Sequence, residues 1–403
     1  MPTELSQNRG RRDPLSSLPE PDLESRRQSE RMVELIVDQI NQVGGHLPFD
    51  RFMELALYAP GLGYYSAGSR KFGEQGDFIT APETSPLFAR CLARQCCQVL
   101  GELGEGDLLE FGAGSGVLAA DLLEELELLG GLPDRYLIVD VSPDLKARQK
   151  ALLQQRLPHL SDRICWLDDF PEGKFQGVVI ANEVLDAMPV HRFRVEQGQV
   201  KEQSVEIAEK QLRTTWGKAS PILQAAVEEL QVKCGSLADD YESELNLRAA
   251  PWLRAFSKRF TAGLVLIIDY GYARSEYYHP QRNRGTLMCH YRHRAHPDPL
   301  YNPGLQDITA YVDFTGLAEA ALEAGLSVCG YTTQAFFLMG CGLEGLLAES
   351  NPEDVQPHLK LMQEVKHLTL PSEMGERFKV LGLSRGLDFS PIGYSLQDMR
   401  GRL

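Results

Sequence analysis

Apolar positions along this chain fall into two periods. Short apolar runs at residues 108–111, 136–141, 164–167, 178–181 and 264–269 predict strands. Between the first of them, apolar residues recur at three- and four-residue spacing, as at Val117, Leu118, Leu122, Leu123 and Leu126, which predicts helices. Strands alternating with helices imply right-handed crossovers and a largely parallel sheet, an α/β fold. Residues 326–331 and 334–338 read as the closing antiparallel strands. Amphipathic helices are expected over 30–40, through Met32, Leu35, Ile36 and Ile40, and over 49–57. Another is expected over 86–100, where Ser85 suits a cap and Pro86 a first turn. One spacing breaks the alternation: about eighty residues lie between 181 and 264, against the dozen or so that a crossover needs. Within that gap 192–195, 203–207 and 212–216 alternate like short strands and 223–230 like a helix, so an inserted subdomain is expected.

The first core helix opens on a glycine turn, Glu110-Phe111-Gly112-Ala113-Gly114-Ser115-Gly116. A dinucleotide fingerprint would place its third glycine at Val117, and a phosphate-binding P-loop would end in Gly-Lys-Ser/Thr, so neither applies. The pattern E-x-G-x-G-x-G resembles the first motif of class I S-adenosylmethionine-dependent methyltransferases. That resemblance implies a Rossmann-like, seven-stranded sheet and S-adenosyl-L-methionine as cofactor, with Glu110, Gly112, Gly114 and Gly116 at its site.

Composition narrows the partners. The net charge of −15 argues against a general nucleic-acid binder, which would show a basic face to phosphates. Apolar content of 43% and no apolar run long enough to span a bilayer fit a globular chain without a membrane span. The eight cysteines form no C-x-x-C pair, so neither a zinc site nor a dithiol redox site is expected and no metal is assigned. The first residues, through about Arg27, are polar and read as a disordered tail. Their acids, Glu4, Asp13, Glu20, Asp22 and Glu24, argue against a transit peptide, and the expected location is the cytoplasm.

Further candidates sit where strands end, since ligands of such sheets bind outside the carboxyl ends. Asp140 ends the second strand and can accept both ribose hydroxyls. Asp168 and Asp169, with Phe170, end the third and can meet an adenine ring, although adjacent acids there are often only solvated. Asn182-Glu183-Val184-Leu185-Asp186 follows the fourth strand. Asn182 can cap a helix or face the cofactor, whereas Glu183 and Asp186 are the strongest catalytic candidates. Residues 281–296 hold Arg282, Arg284, Arg292 and Arg294 with His290, His293 and His296 and no acid, a local basic patch on an acidic chain. It can engage an acidic surface or lie solvated.

Three segments together resemble the MidA-like family of methyltransferases: 76–85, 181–190, and 268–314 with Asp269-Tyr270-Gly271, Asp307-Ile308-Thr309 and Val312-Asp313-Phe314. The resemblance covers the chain from about Glu30. It implies a class I fold with an N-terminal helical extension and an insertion after strand 4. The expected boundaries are a tail at 1–28, a helical cap over the cofactor site at 29–100, a core at 101–190 and 260–345, the insertion at 191–259, and a C-terminal helical extension at 346–403. It also implies symmetric dimethylation of a protein arginine in a subunit of respiratory complex I. Gly76, Asp77, Phe78 and Thr80 would close over the cofactor and Glu183 would sit beside the substrate, with Asp186, Asp307 and Asp313 as further carboxylates for a guanidinium. Two rivals stand beside this: a methyltransferase for a small molecule or RNA, and a cofactor-binding assembly factor that acts by docking.

Overall fold

In the computed structural model, residues 18–67 and 80–403 are described. The apolar runs form the centre of an eight-stranded sheet. Its long strands are β1 (Asp107–Phe111), β2 (Tyr136–Val139), β3 (Ile164–Leu167), β4 (Phe175–Asn182), β5 (Phe260–Tyr272), β6 (Ser327–Thr333) and β7 (Phe378–Arg385). They lie in the order β3-β2-β1-β4-β5-β7-β6. β1 to β5 pair in parallel, and β7 runs antiparallel to both β5 and β6. The two-residue strand Val312–Asp313 adds alongside β5.

Side chains alternate across a strand, so each strand feeds two cores. Leu108, Ile138, Val178, Ile180, Leu264 and Leu266 face one layer, with helices α3 (Pro86–Leu103), α4 (Val117–Leu128) and α5 (Pro143–Arg156). Leu109, Leu137, Val179, Ala181, Val265 and Ile267 face the other, with α6 (Ala249–Ser257) and α7 (Phe314–Glu323). Each fully buried Leu, Ile or Phe stabilises the layer by roughly 1.5–3 kcal/mol, so the doubly covered sheet is a rigid platform.

The N-terminal helices α1 (Leu23–Gln42) and α2 (Phe49–Tyr58) stand apart from these layers. Met32, Ile36, Phe52 and Met53 pack against Val205, Cys289 and Ile308, which brings α2 towards the strand Asp307–Thr309. Between β4 and β5 the chain builds a five-stranded antiparallel sheet from His191–Glu196, Gln199–Ala208, Gln211–Lys218 and Glu242–Leu245, joined by Leu47–Pro48. The helix Pro221–Cys234 covers it through Leu223, Val227 and Leu230.

Several expectations change. α1 starts at Leu23, inside the segment read as a disordered tail, because Asp22 accepts from the Ser25 amide and caps it. α3 lies in the core layer, although the helical cap was drawn to residue 100. α6 packs with Phe175 and Phe260 on the core rather than with the insertion. Residues 334–338 form no strand: Gln334–Gly340 is a helix, capped by the Thr333 hydroxyl, which accepts from the Phe336 amide. The missing strand is β7, within the segment read as a helical extension. Among the described residues, no helix is long and apolar enough to cross a membrane.

Candidate active site

A cleft of about 580 Å³ opens at the carboxyl ends of β1 to β4, walled by α2, Tyr65, Asp307, Arg248 and Trp252. Its floor at β1 is the glycine turn. Gly112, Gly114 and Gly116 have φ of 64°, 54° and 88°, angles that favour glycine, and the turn leads into α4. A Cβ on Gly116 would lie 3.2 Å from the Gln149 backbone, so any other residue there would push α4 and α5 slightly apart.

Gln149 ties this floor together, and the sequence pattern offered no sign of it. Wholly buried on α5, it donates through Nε2 to the Gly114 carbonyl at 3.0 Å and to Asp140 Oδ2 at 2.8 Å. Its Oε1 accepts from Trp166 Nε1 at 3.0 Å. Asp140 Oδ1 accepts the Ser142 amide at 2.9 Å, so both carboxylate oxygens are fixed at the end of β2. Burial raises the Asp140 pKa, while these donors pull it down. Glu110 is almost fully buried and accepts the Tyr136 hydroxyl at 2.8 Å. Desolvation pushes its carboxyl up to about 7.

Along one flank Val141, Leu145 and Phe170 supply apolar surface, and Trp252 packs edge-on to Phe111 at 5.0 Å. Asp168 and Asp169 also line the cleft. Asp168 is exposed and pairs with Lys146, whose hydrogen bond lowers its pKa. Asp169 accepts the Phe170 amide at 2.8 Å. Thr80 reaches the opposite rim at the start of the short helix Ala81–Thr84, which also holds Glu83 against the Ser115 hydroxyl.

The second half of the cleft is acidic. Glu183, with Asn182 beside it, turns out of β4 with φ of 51°, a left-handed conformation costly for a non-glycine residue. Its amide is held by the Ile268 carbonyl at 2.9 Å. Asp186 and Asp307 are buried, and Tyr65 donates its hydroxyl to Asp307 Oδ1 at 2.9 Å. Tyr65 stacks on Tyr58 at 5.5 Å, and Tyr58 donates to the Ala187 carbonyl. Behind them Asp269, fully buried, accepts the Leu185 and Asp186 amides at 3.0 and 3.2 Å. Desolvation and the like charge of Glu183 push Asp269 up to about 8. Burial, then the repulsion of Asp186 and Asp307, raises Glu183 well above the carboxylate range. Asp186 is raised by burial and by Asp269, and its Oδ1 has no hydrogen-bond partner. Arg248 is the lining cation among the described residues, already engaged by Glu54 at 2.9 Å and Asp50 at 3.2 Å.

The cleft thus gathers Glu183, Asp186 and Asp307 with Thr80, Glu110, Gly112, Gly114, Asp140, Asp168, Asp169 and Asn182. Asp313 is not among them. It caps α7 by accepting the Gly316 amide and pairs with Arg274 at 3.4 Å, a helix-start role. Gly116 supports the turn from behind. Gly76, Asp77 and Phe78 lie outside the described residues. Glu54, Tyr58, Tyr65, Arg248 and Trp252 were not expected, since they come from segments remote in sequence.

A parallel sheet closed by an antiparallel seventh strand, with a glycine turn after β1 and a fixed carboxylate after β2, defines a class I S-adenosyl-L-methionine-dependent methyltransferase. The profile of a family described as S-adenosyl-L-methionine-dependent methyltransferases matches residues 91–332. The chain belongs to that family. A crystal structure from Burkholderia thailandensis, bound to S-adenosyl-homocysteine, superposes with a TM-score of 0.91 at 43% identity, covering 96% of this chain and 100% of the other. The mitochondrial protein arginine methyltransferase NDUFAF7 homolog of Drosophila melanogaster is 29% identical over 85% of this chain and 82% of its own length. Mitochondrial NDUFAF7 of Mus musculus is 28% identical over 84% and 81%. The cytoplasmic expectation is overturned by these relatives, which are named as mitochondrial proteins.

Proposed function

We propose that this methyltransferase modifies the guanidinium of a protein arginine, by symmetric dimethylation, in a subunit of the respiratory complex I type. The observation that carries the reading is the carboxylate group Glu183, Asp186 and Asp307 in one cleft with the glycine turn. The relatives named as protein arginine methyltransferases support the acceptor, and the MidA-like resemblance supports the complex I target.

In this reading Gly112, Gly114, Asp140, Asp168, Asp169, Asn182 and Thr80 hold the cofactor, with Glu110 beneath them. The cofactor supplies a methyl group on a sulfonium. What the protein adds is alignment, which contributes on the order of 7–11 kcal/mol in well-oriented reactions. An arginine side chain stays protonated to a pKa above about 12, so it enters as a planar cation. Glu183 takes its fork through paired hydrogen bonds and turns one nitrogen toward the methyl. Asp186 and Asp307 hold the charge that persists through transfer, and a carboxylate of this group accepts the proton that the guanidinium nitrogen gives up as it takes the methyl. Burial favours the protonated form of Glu183 and Asp186; a bound cation reverses that preference and draws them into their ionised form.

Incubation of the purified protein with methyl-labelled S-adenosyl-L-methionine and a lysate of its source organism tests the reading. Label recovered as symmetric dimethylarginine from a polypeptide is the expected result. Label confined to small molecules or RNA, or to another amino acid, would overturn it.

A further inference from the structure

Beside the acidic end of the cleft lies a second patch with the opposite charge. Tyr270 follows Asp269 on β5, and burial followed by the nearby Glu183 and Asp186 carboxylates raises its phenol pKa. Its ring stacks with Tyr311 at 5.9 Å, and Tyr311 lies 5.4 Å from Tyr272. Tyr311 follows Ala310, whose amide donates to the Asp186 carbonyl at 3.0 Å. These rings form a continuous wall from the carboxylates to the end of β5.

At the far end of that wall are Arg282 and Lys379, and the charges of Arg377 and Arg282 both act on the Tyr311 phenol. The Arg282 guanidinium lies 4.0 Å from the centre of the Tyr272 ring, and the Lys379 ammonium lies 5.8 Å from it. Among the described residues, none of the three forms an ion pair. Arg282 donates to the Glu276 carbonyl and Lys379 to the Glu376 carbonyl. The Glu276 carboxylate faces Arg402 at 3.8 Å and also acts on Lys379. Elsewhere in the same basic segment the charges are matched: Arg284 pairs with Glu242 and Arg292 with Asp22. Lys379 is only 9% exposed, and burial lowers its pKa against the pull of the Glu276 and Glu376 carboxylates, so the two arginines are the cations left for an outside anion. On a chain of net charge −15, two guanidiniums without an ion pair beside a tyrosine wall, Arg282 and Arg377, mark a place prepared for an anion.

We propose that this patch docks an acidic side chain of the protein substrate, near the arginine that enters the cleft. The inference rests on the protein-arginine reading. Tyr272 lies three residues beyond Asp269 on β5, ~10 Å at the strand rise of about 3.3 Å per residue. A carboxylate about three extended residues from the target arginine spans that distance. The two halves are complementary: carboxylates take the reacting cation, and cations take the neighbouring acid, which selects one arginine among many.

The test uses the full chain with S-adenosyl-homocysteine and short fluorescent peptides. Each peptide carries a central arginine and either glutamate or its neutral isostere glutamine, three residues to either side. Binding is compared for the wild type, Arg282→Gln, Arg377→Gln and the double variant. The expected result is about five- to tenfold tighter binding of one glutamate peptide, an advantage that shrinks in each single variant and vanishes in the double. Equal binding of glutamate and glutamine peptides, binding of none, or an advantage that survives in the double variant would overturn the proposal. Replacing the central arginine by lysine separates the two claims. An undiminished glutamate advantage with equal affinity for lysine leaves the docking patch standing and counts against the arginine reading.

Discussion

The Gln149 amide donates to Asp140 Oδ2 at 2.8 Å and to the Gly114 carbonyl at 3.0 Å, coupling the carboxylate after β2 to the glycine turn after β1. Gln149 is wholly buried, and each of these contacts would be lost with an apolar side chain. Gln149→Met keeps the volume but leaves Asp140 and Trp166 short of a partner. A lost hydrogen bond to a charged group costs roughly 1.5–3 kcal/mol, so S-adenosyl-homocysteine should bind about 10- to 100-fold more weakly. Gln149→Glu should be worse, because it sets a second buried carboxylate against Asp140. Calorimetric titration of both variants checks this, and retained affinity in both would remove Gln149 from the site.

Glu183 carries the acceptor assignment. Glu183→Gln preserves size and one acceptor oxygen but not the charge that a guanidinium needs. Turnover should fall by at least about 100-fold, in the range seen when a single transition-state contact is removed. Binding of S-adenosyl-homocysteine should stay within about twofold of wild type, because the glycine turn and Asp140 are untouched. Single-turnover kinetics with labelled cofactor decide the matter; an unchanged rate would exclude Glu183 from the chemistry.

The positions of the first five strands and the gathering of the glycine turn with Asp140 were legible because each rests on a local signal. A fully apolar run, a glycine turn and a terminal acid lie next to one another at β1 and β2. Gln334–Gly340 and Phe378–Arg385 were misread for one reason. Short apolar runs are ambiguous between helix and buried strand, and the cap or partner decides. Thr333 caps the first as a helix. The second is interrupted by Lys379, Gly382 and Ser384 and becomes a strand because β5 and β6 pair with it on both sides. The acidic half of the cleft assembles Tyr58, Tyr65, Glu183, Arg248 and Asp307, which no spacing relates. Asp307 and Asp313 read alike in sequence, yet one faces the cleft and the other caps a helix.

That difference has a measurable consequence. Asp313 accepts the Gly316 amide at the start of α7 and faces Arg274 at 3.4 Å, with Glu319 on the other side of the guanidinium. Asp313→Ala should therefore cost about 1–2 kcal/mol of stability, the range for a lost N-cap. Cofactor affinity and turnover per folded molecule should be unchanged. Chemical denaturation alongside steady-state kinetics separates the two readings, and a large loss of turnover at full stability would return Asp313 to the site.

Glu110 links the floor of the cleft to the pH dependence of stability. Its carboxyl, ordinarily near 4.5, is pushed up to about 7 in the fold by burial, opposed by the Tyr136 hydroxyl and assisted by Asp140. Between those two values the folded state binds more protons than the unfolded state. Stability contributed at this position is therefore greatest below pH 4.5 and falls as the pH rises towards 7, beyond which it is constant. A displacement of that size corresponds to about 3 kcal/mol. Glu110→Gln keeps an acceptor for Tyr136 and removes the titration. The variant should gain on the wild type by up to about 3 kcal/mol between pH 4.5 and pH 8 in ligand-free protein. Urea denaturation at a series of pH values measures the difference directly. Parallel curves for the two proteins would mean that Glu110 titrates normally in the fold.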